Sequence, residues 1–246
     1  MIISFVQTKG GTGKSTLALN SAFSKVFKEK FQSIALVELD PQGTLKKWWE
    51  ERTEHSLAFH QISFHHISST QKEVLQDSVK TITNHNDLVI LDVPGESISK
   101  LHTKFACAVS DLVIIPMRTS TNDESAFSEN LLPIIKELVR SYPIKKGIFY
   151  ILPSFTNAQS NKEKVIGYFR EILPDYVNCL DAMYPFRGVY ENFNREGSTL
   201  LEYVESIQNN KRLFTVGQRA LNDIDSITIE IYKKLSEKLN GDTEET

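Results

Sequence analysis

The stretch IISFVQTKGGTGKSTLALN, residues 2–20, decides the fold class of this chain. It begins with an apolar run typical of a buried strand, passes through a turn with three glycines, and continues into a helical segment from Lys14. This order brings backbone N–H groups and the positive end of a helix dipole to one point. The stretch therefore predicts a phosphate-binding site between a strand and a helix.

The spacing in this stretch fits the phosphate-binding loop G-x-x-x-x-G-K-[ST] with one deviation. Gly13, Lys14 and Ser15 match the motif, but its first position holds Thr8. The loop also contains a second lysine, Lys9. A second lysine needs an explanation, because two ammonium groups converging on the same phosphates repel each other.

The loop residues have predicted roles at a nucleoside triphosphate. We expect Lys14 to contact the β- and γ-phosphates, Ser15 to ligate Mg²⁺, and Thr16 to lie near the α-phosphate. Backbone N–H groups that surround the phosphate oxygens would come from Gly10, Gly11, Thr12 and Gly13. The alternative is a glycine-rich turn before an ordinary helix, which the G-K-S sequence in this context disfavours.

Two acidic residues end strand-like runs elsewhere in the chain: Asp40 in LVELDPQGT and Asp92 in LVILDVPG. Ligands of open α/β sheets bind outside the carboxyl ends of the strands, so both carboxylates are expected near the loop. Asp92 fits a residue that holds the metal through its water shell, and Gly95 is placed to offer its N–H to the γ-phosphate. Asp40 is a candidate for activating the attacking water. The alternatives are a turn aspartate for Asp92, and for Asp40 a cap of the helix after Pro41.

The rest of the chain alternates short apolar runs with helical patterns. Runs without polar alternation are typical of strands covered on both faces, and they occupy residues 2–6, 33–39, 87–93, 111–117 and 146–152. A half-polar run at 57–64 predicts an edge strand, and 177–183 predicts a further strand. Helical patterns occupy residues 14–28, 43–54, 70–84, 97–108, 123–141, 160–171 and 213–239.

This alternation predicts an α/β fold with a doubly wound, mostly parallel sheet flanked by helices. Pro133 predicts a kink or a late start in the helix over 123–141. We find no linker and no internal repeat, so the chain is interpreted as a single domain over 1–240. Residues 241–246 are predicted to be a frayed acidic tail.

The composition favours a cytoplasmic protein. Of the 246 residues 40% are hydrophobic and 24% are charged, and no apolar run reaches the length of a membrane span. The first strand starts at residue 2 without a basic leader, so no signal peptide is expected. Cys107 and Cys179 form no C-x-x-C pair, which disfavours disulfides and metal clusters. With a net charge of −3, DNA binding requires a local basic patch.

The sequence KGGTGKST, residues 9–16, has the form K-G-G-x-G-K-[ST] and resembles the deviant Walker A box of the ParA/MinD family of ATPases. The segments ELDPQGTLKKWW and LVILDVPG are similar to the family's D-x-D-P-Q-G segment and to its Walker B strand. Pro116, in DLVIIPM, lies where ParA-type chains have a strand ending in I-P. The likeness is strong through residue 120 and looser up to about residue 235.

The resemblance implies a P-loop NTPase in which two protomers sandwich ATP and Mg²⁺. Lys14 would serve the nucleotide of its own protomer, and Lys9 would reach the partner's phosphates, coupling dimerisation to the γ-phosphate. The alternative for Lys9 is a solvated loop charge. Glu38 departs from the family, which usually has Asp there, and the role of that position is open. We assign hydrolysis to Asp40.

The resemblance also implies a choice of partner surface. ParA-type members bind nonspecific DNA as ATP dimers in plasmid or chromosome partition or cargo positioning, and a ParB-like partner stimulates their weak hydrolysis. MinD-type members instead cycle on membranes through a C-terminal amphipathic helix. Here Ile229, Tyr232, Leu235 and Leu239 share one helical side, but such a stripe is more often core-facing. We therefore expect nucleoid association, with membrane positioning as the alternative and a nucleotide-locked scaffold as a third hypothesis.

Further candidate residues concern DNA binding, adenine contacts and a possible histidine metal site. Basic residues of the C-terminal third are the DNA candidates: Arg187, Arg195, Lys211, Arg212, Arg219, Lys233 and Lys234. Pro116 and residues 184–190 are the candidates for adenine contacts. His65 and His66 are adjacent on a strand-like segment, so they point to opposite faces and are not expected to chelate one metal.

Overall fold

The apolar runs form the strands of a parallel sheet in the computed structural model, which describes residues 1–95 and 100–241. The strands in this part of the chain are β1 (Ile2–Phe5), β2 (Ile34–Glu38), β3 (Ile62–His66), β4 (Leu88–Asp92), β5 (Leu112–Met117), β6 (Phe149–Thr156), β7 (Asn178–Cys179) and β8 (Tyr184–Pro185). Their order is β3-β2-β4-β1-β5-β6-β7, with β8 paired to β6. The predicted α/β fold is confirmed.

Helices cover both faces of the sheet. One layer contains α1 (Lys14–Ala22), α2 (Lys25–Lys30), α3 (Thr44–Glu54), α9 (Leu200–Ser206) and α10 (Lys211–Gly241). The other contains α4 (Lys72–Asn84), α5 (Lys100–Val109), α7 (Leu132–Ser141) and α8 (Lys162–Ile172). The short helix α6 (Thr121–Ala126) follows β5. The first residues of the helix predicted at 97–108 and residues 242–246 of the predicted tail lie outside the described residues.

The helix predicted over 14–28 is wrong as a single element. It divides into α1 and α2, because Phe23 ends the first helix and Ser24 has an extended backbone. The Ser24 hydroxyl then accepts a hydrogen bond from Phe27 N at 3.2 Å and caps α2. A serine cap of this kind starts a new helix where the previous one has ended.

The predicted interruption at Pro133 is confirmed. Between α6 and α7 the backbone forms a π-helical turn over Phe127–Leu131, and the proline occupies the first turn of α7. Proline lacks an N–H group and tolerates the start of a helix but not its interior. The wider turn lets the helical path continue through this position.

Two further predictions had wrong boundaries. The edge strand expected at 57–64 is β3, which starts at Ile62. The strand expected at 177–183 is reduced to the two-residue β7, and β8 begins just after the predicted range. The helix α9 was not predicted. It begins with a capping box in which the Thr199 hydroxyl and the Glu202 carboxylate each accept the other residue's backbone N–H. The T-x-x-E spacing of that box is visible in the sequence.

Both cysteines lie in the core. Cys107 and Cys179 are both buried and form no disulfide. Burial raises the pKa of both thiols to about 12, so neither is a reactive thiolate at neutral pH.

Candidate functional site

The glycine-rich loop joins β1 to α1 at the carboxyl edge of the sheet. Gly13, the N-cap of α1, has a φ angle of 85°, and a Cβ atom there would lie 2.8 Å from the ring of Tyr184. Only glycine meets both conditions. The loop and the start of α1 line a cavity of about 280 Å³. The residues around it are Gly11, Thr12, Gly13, Lys14, Ser15, Thr16 and Phe155. Six of the predicted phosphate-binding residues therefore surround one cavity.

The lysine of the G-K-S sequence is buried at the cavity. The ammonium group of Lys14 donates a hydrogen bond to the Lys9 carbonyl at 3.3 Å. Burial lowers the pKa of Lys14, and the nearby Asp92 carboxylate opposes that shift. Gly95 approaches from the end of β4, where a Cβ atom would lie 2.7 Å from Lys14 Nζ and 3.2 Å from Gly10 Cα. The predicted γ-phosphate sensor is therefore next to the predicted γ-phosphate lysine.

The residues predicted to hold Mg²⁺ also lie together. Asp92, at the end of β4, is buried and hydrogen-bonded to Ser15. Burial raises the pKa of Asp92 to about 7, against the Ser15 hydrogen bond and the Lys14 charge. Its Oδ1 atom and the Thr12 hydroxyl are buried without a hydrogen-bond partner in the described part of the chain. Such unsatisfied oxygens suit hydrated Mg²⁺ and phosphate, so this donor set fits MgATP.

The second lysine of the loop pairs with a carboxylate of the protein itself. Lys9 Nζ forms an ion pair with Asp123, whose side chain is fully buried near the start of α6. The other oxygen of Asp123 lies 3.9 Å from Arg118 Nε, and neither atom has a hydrogen-bond partner among the described residues. The guanidinium of Arg118 also stacks on Phe155, 4.5 Å from the ring centre. Lys9 is therefore ion-paired in the isolated chain while its side chain stays 38% exposed, and its role toward a partner's phosphates stays a prediction.

Asp40 follows β2 in a partly exposed loop. Its Oδ1 atom accepts the Gln42 N–H at 2.9 Å, which closes a turn. The helix α3 is capped by Glu38, whose carboxylate oxygens accept the N–H groups of Leu45 at 2.8 Å and Lys46 at 2.9 Å. The alternative of Asp40 as the helix cap is therefore wrong. Burial raises the pKa of Glu38, and the two amide hydrogen bonds oppose this.

The predicted adenine contacts are only partly near the cavity. Pro116 is buried within β5, and its carbonyl accepts a hydrogen bond from the Gln7 amide at 3.3 Å. The structure does not place it among the residues that line the cavity. The segment 184–190 lies closer, because the rings of Tyr184 and Phe186 are 5.6 and 6.0 Å from the ring of Phe155.

The predicted DNA residues fall into two groups. Arg187 is paired with Asp223, with a second hydrogen bond of 3.1 Å, so its charge is neutralised within the chain. The prediction for Arg187 as part of an open basic surface is therefore wrong. Lys234 is likewise paired, with Glu230 and Glu237. The remaining predicted cations are exposed and form no ion pair within the described ranges: Arg195, Lys211, Arg212, Arg219 and Lys233.

The apolar stripe near the C-terminus packs largely against the core. Leu235 is buried, and the Tyr232 ring packs on Phe31 at 6.1 Å, whereas Ile229 is 56% exposed. Nothing is described for the side chain of Leu239. Among the described residues, no helix combines the length and the apolar character needed to cross a bilayer.

Four side chains at this site were not predicted, among them Phe155, which lines the cavity. Asp123 and Arg118 carried no motif, although the sequence S-T-N-D after β5 contains a serine that caps α6. His66 was assigned no role, yet its Nε2 atom lies 3.1 Å from the Asp40 carbonyl. Only the strand order brings these residues to the loop, so no local signal identifies them.

The substitution Gly95→Ala is expected to weaken nucleotide binding about tenfold or more, because the added methyl group displaces the Lys14 ammonium. The melting temperature should fall only slightly, since the nearest atom is the end of a flexible side chain and the next two, Lys9 O at 3.1 Å and Gly10 Cα at 3.2 Å, need shift only a little. Gly167→Ala, in α8, is the matched control, because nothing lies within 4 Å of a Cβ atom there and the residue does not line the cavity. Equal affinities of both variants for a fluorescent ATP analogue would contradict the proposed closeness of Gly95 to the phosphate.

Both a family profile and a full-length relative match this chain. A sequence profile described as the CobQ/CobB/MinD/ParA nucleotide binding domain matches residues 3–239. A relative named Protein ParA, from Rhizobium radiobacter, is 23% identical over 97% of this chain and 99% of its own length.

Two further matches are a curated relative and a solved structure. Maintenance of carboxysome distribution protein A from Gloeobacter kilaueensis is 31% identical over 93 residues, which cover 38% of each chain. Among solved structures, an ATP complex of McdA from Cyanothece superposes with a TM-score of 0.64 at 17% identity, over 90% of this chain and 96% of that one. At this identity the superposition shows the shared fold.

Proposed function

The chain belongs to the CobQ/CobB/MinD/ParA family of nucleotide-binding ATPases, and on this premise we propose that it is a ParA-type positioning ATPase. Binding of MgATP brings two copies face to face. The dimer binds DNA of any sequence, and a ParB-like partner accelerates the slow hydrolysis that releases it. Repeated cycles move a plasmid, a chromosome or a protein assembly over the nucleoid.

The different surroundings of the two loop lysines are the observation that supports this proposal. Lys14 is buried at the phosphate cavity beside Asp92, whereas Lys9 is paired with Asp123 and its side chain remains 38% exposed. A cation on the loop surface that does not serve its own cavity can reach a second protomer once it leaves Asp123. Delivery of a cation in trans is an effective way to couple assembly to a γ-phosphate.

The N-terminal part of α10 supports the DNA-binding step. Arg212 and Arg219 are seven residues apart, so they lie on the same side of the helix, and Lys211 precedes them. All three are exposed. Unpaired cations along one helix face are suited to phosphate contacts that do not depend on sequence.

Arg212→Ala combined with Arg219→Ala is expected to weaken binding to any DNA sequence. Each lost phosphate contact lowers the slope of log affinity against log salt by about 0.9, so the double variant should lose about 2. The measurement is fluorescence anisotropy with random-sequence duplex over a salt series, with ATP. Lys80→Ala, an exposed cation on the other helix layer, serves as the control and should leave the slope close to the parent value.

Nucleotide dependence tests the cycle itself. The parent protein should retain DNA with ATP and lose it with ADP, and equal retention with both would overturn the DNA-binding step. Replacing Asp40 by Ala separates the proposed cycle from a nucleotide-locked scaffold, because a scaffold would show the same hydrolysis rate with and without this carboxylate. ATP-dependent sedimentation with liposomes instead of DNA would favour a membrane-cycling ATPase.

A further inference from the structure

A histidine on the edge strand holds the backbone of the predicted hydrolytic residue. His66 is the last residue of β3 and lies opposite Glu38 in the parallel pairing of β3 with β2. Its Nε2 atom lies 3.1 Å from the carbonyl oxygen of Asp40. A carbonyl oxygen can only accept a hydrogen bond, so the Nε2 atom carries the hydrogen and donates it.

The loop over residues 39–43 is fixed at both ends. At its start, Leu39 N–H donates to the Asp92 carbonyl at 2.9 Å, which ties the loop to the metal side of the site. At its end, the Glu38 carboxylate caps α3. Between them, the Asp40 carbonyl also accepts the Gly43 N–H at 3.1 Å. The main chain of Asp40 is therefore held by hydrogen bonds from both sides of the loop, and its carboxylate accepts only the Gln42 N–H, at 2.9 Å, among the described residues.

The exposure of this loop makes those bonds important. Asp40 is only partly buried, and Pro41 and Gln42 are exposed, so side-chain packing does little to define the position of the carboxylate. A general base must lie within hydrogen-bond reach of the proton that it removes. Displacement of a reacting group by about 1 Å reduces a rate by about 100-fold.

We propose that His66 and Glu38 are positioning residues for ATP hydrolysis. His66 fixes the Asp40 carbonyl and Glu38 fixes the end of the loop, so that the Asp40 carboxylate is held at one place relative to Asp92. This inference rests on the proposed role of Asp40 as the residue that activates water. His65, the neighbouring histidine, lies on the opposite face of β3 and contacts Ser63 at 3.2 Å.

The two histidines provide a matched test. His66→Phe removes the donor and keeps a ring, and it should lower kcat about tenfold while KM stays within about twofold. His66→Gln places an N–H group near the Nε2 position and should restore most of the rate. His65→Phe should behave like the parent. An equal loss of rate in both phenylalanine variants would overturn the positioning role.

Hydrogen–deuterium exchange of the nucleotide-free protein gives a second readout. Peptides covering residues 39–46 should exchange faster in His66→Phe than in the parent or in His65→Phe, while peptides from α10 should stay unchanged. If His66→Phe does not fold, His66→Asn is used, because its side chain is too short to reach the carbonyl. Unchanged exchange over residues 39–46 would overturn the inference.

The variants at Glu38 and Asp40 distinguish the hydrolytic role of Asp40 from the positioning role of His66 and Glu38. Glu38→Asp is expected to lower kcat and to raise exchange at Leu45 and Lys46, because the shorter carboxylate no longer reaches both amides. If Asp40→Ala leaves hydrolysis unchanged, the proposed role of Asp40 fails. If Asp40→Ala abolishes hydrolysis but His66→Phe and Glu38→Asp do not change kcat, only the positioning role fails.

Discussion

Lys9→Ala is expected to remain a monomer with a non-hydrolysable ATP analogue and Mg²⁺, under conditions in which the parent protein dimerises. Its hydrolysis rate should fall by at least about 10³-fold, the usual contribution of a cation supplied in trans to phosphoryl transfer. Binding of the nucleotide to the monomer should change little, because Lys14 and the loop N–H groups remain in place. Multi-angle light scattering and a phosphate-release assay measure the two effects.

The ion pair of Lys9 with Asp123 supplies a control for this experiment. If Lys9 moves to the partner's phosphates, it must leave a carboxylate that is fully buried. Breaking a pair that is buried on both sides costs about 3–5 kcal/mol; the cost is smaller here because the Lys9 side chain is 38% exposed, and Arg118 is a nearby cation that reduces it further. Asp123→Asn removes the competing anion and should dimerise at a lower protein concentration than the parent. Dimerisation of Lys9→Ala as strong as that of the parent would refute the proposed cycle.

Arg52→Ala is expected to reduce the free energy of unfolding by about 3–5 kcal/mol. Arg52 is the largest fully buried side chain, and it donates two hydrogen bonds of 2.8 Å to the carboxylate of Glu202. Its guanidinium also donates to the Gly197 carbonyl at 2.9 Å and lies 5.0 Å from the ring centre of Phe23. Its loss leaves a cavity and a carboxylate without its cation, between α3 and α9. Guanidinium-induced unfolding followed by circular dichroism measures the change.

The stability difference between the parent and Arg52→Ala depends on pH through the pKa of Glu202. Burial acts to raise the pKa of Glu202, but the Arg52 hydrogen bonds and the Thr199 contacts outweigh it and lower the pKa to about 2 from its usual 4.5. A carboxyl group with a lowered pKa stabilises the folded state above its usual pKa and loses that contribution as the pH falls through the folded value. The difference between parent and Arg52→Ala should therefore be complete at neutral pH and shrink below pH 4.5.

An exposed ion pair serves as the comparison for Arg52. Arg170 lies 3.4 Å from Asp181, and both side chains are more than half exposed. Arg170→Ala should cost less than about 1 kcal/mol, as exposed ion pairs usually do. Equal losses of stability in Arg52→Ala and Arg170→Ala would show that the buried guanidinium does not hold α3 to α9.

Local sequence signals predicted the elements of the fold better than their ends. The glycine loop, the apolar strands and the long helix α10 were predicted from residues that are close in sequence, and the structure contains all of them. The errors lie where a local contact overrides the periodicity. Ser24 caps a new helix inside the predicted first one, and β3 starts five residues later than the half-polar run that predicted it. Both element boundaries depend on which backbone N–H and C=O groups find hydrogen-bond partners.

The sequence by itself determined the chemistry of the loop, because the residues that meet a phosphate come from one turn and the first turn of one helix. It predicted that Lys14, Ser15 and Asp92 meet at one nucleotide, and it raised the question of the second lysine. Only the tertiary structure decided what surrounds them. Asp123 meets Lys9 across 114 positions of the chain, and Glu202 meets Arg52 across 150. Such pairs depend on strand order and helix packing, which bring distant residues together and leave no periodic pattern in the sequence.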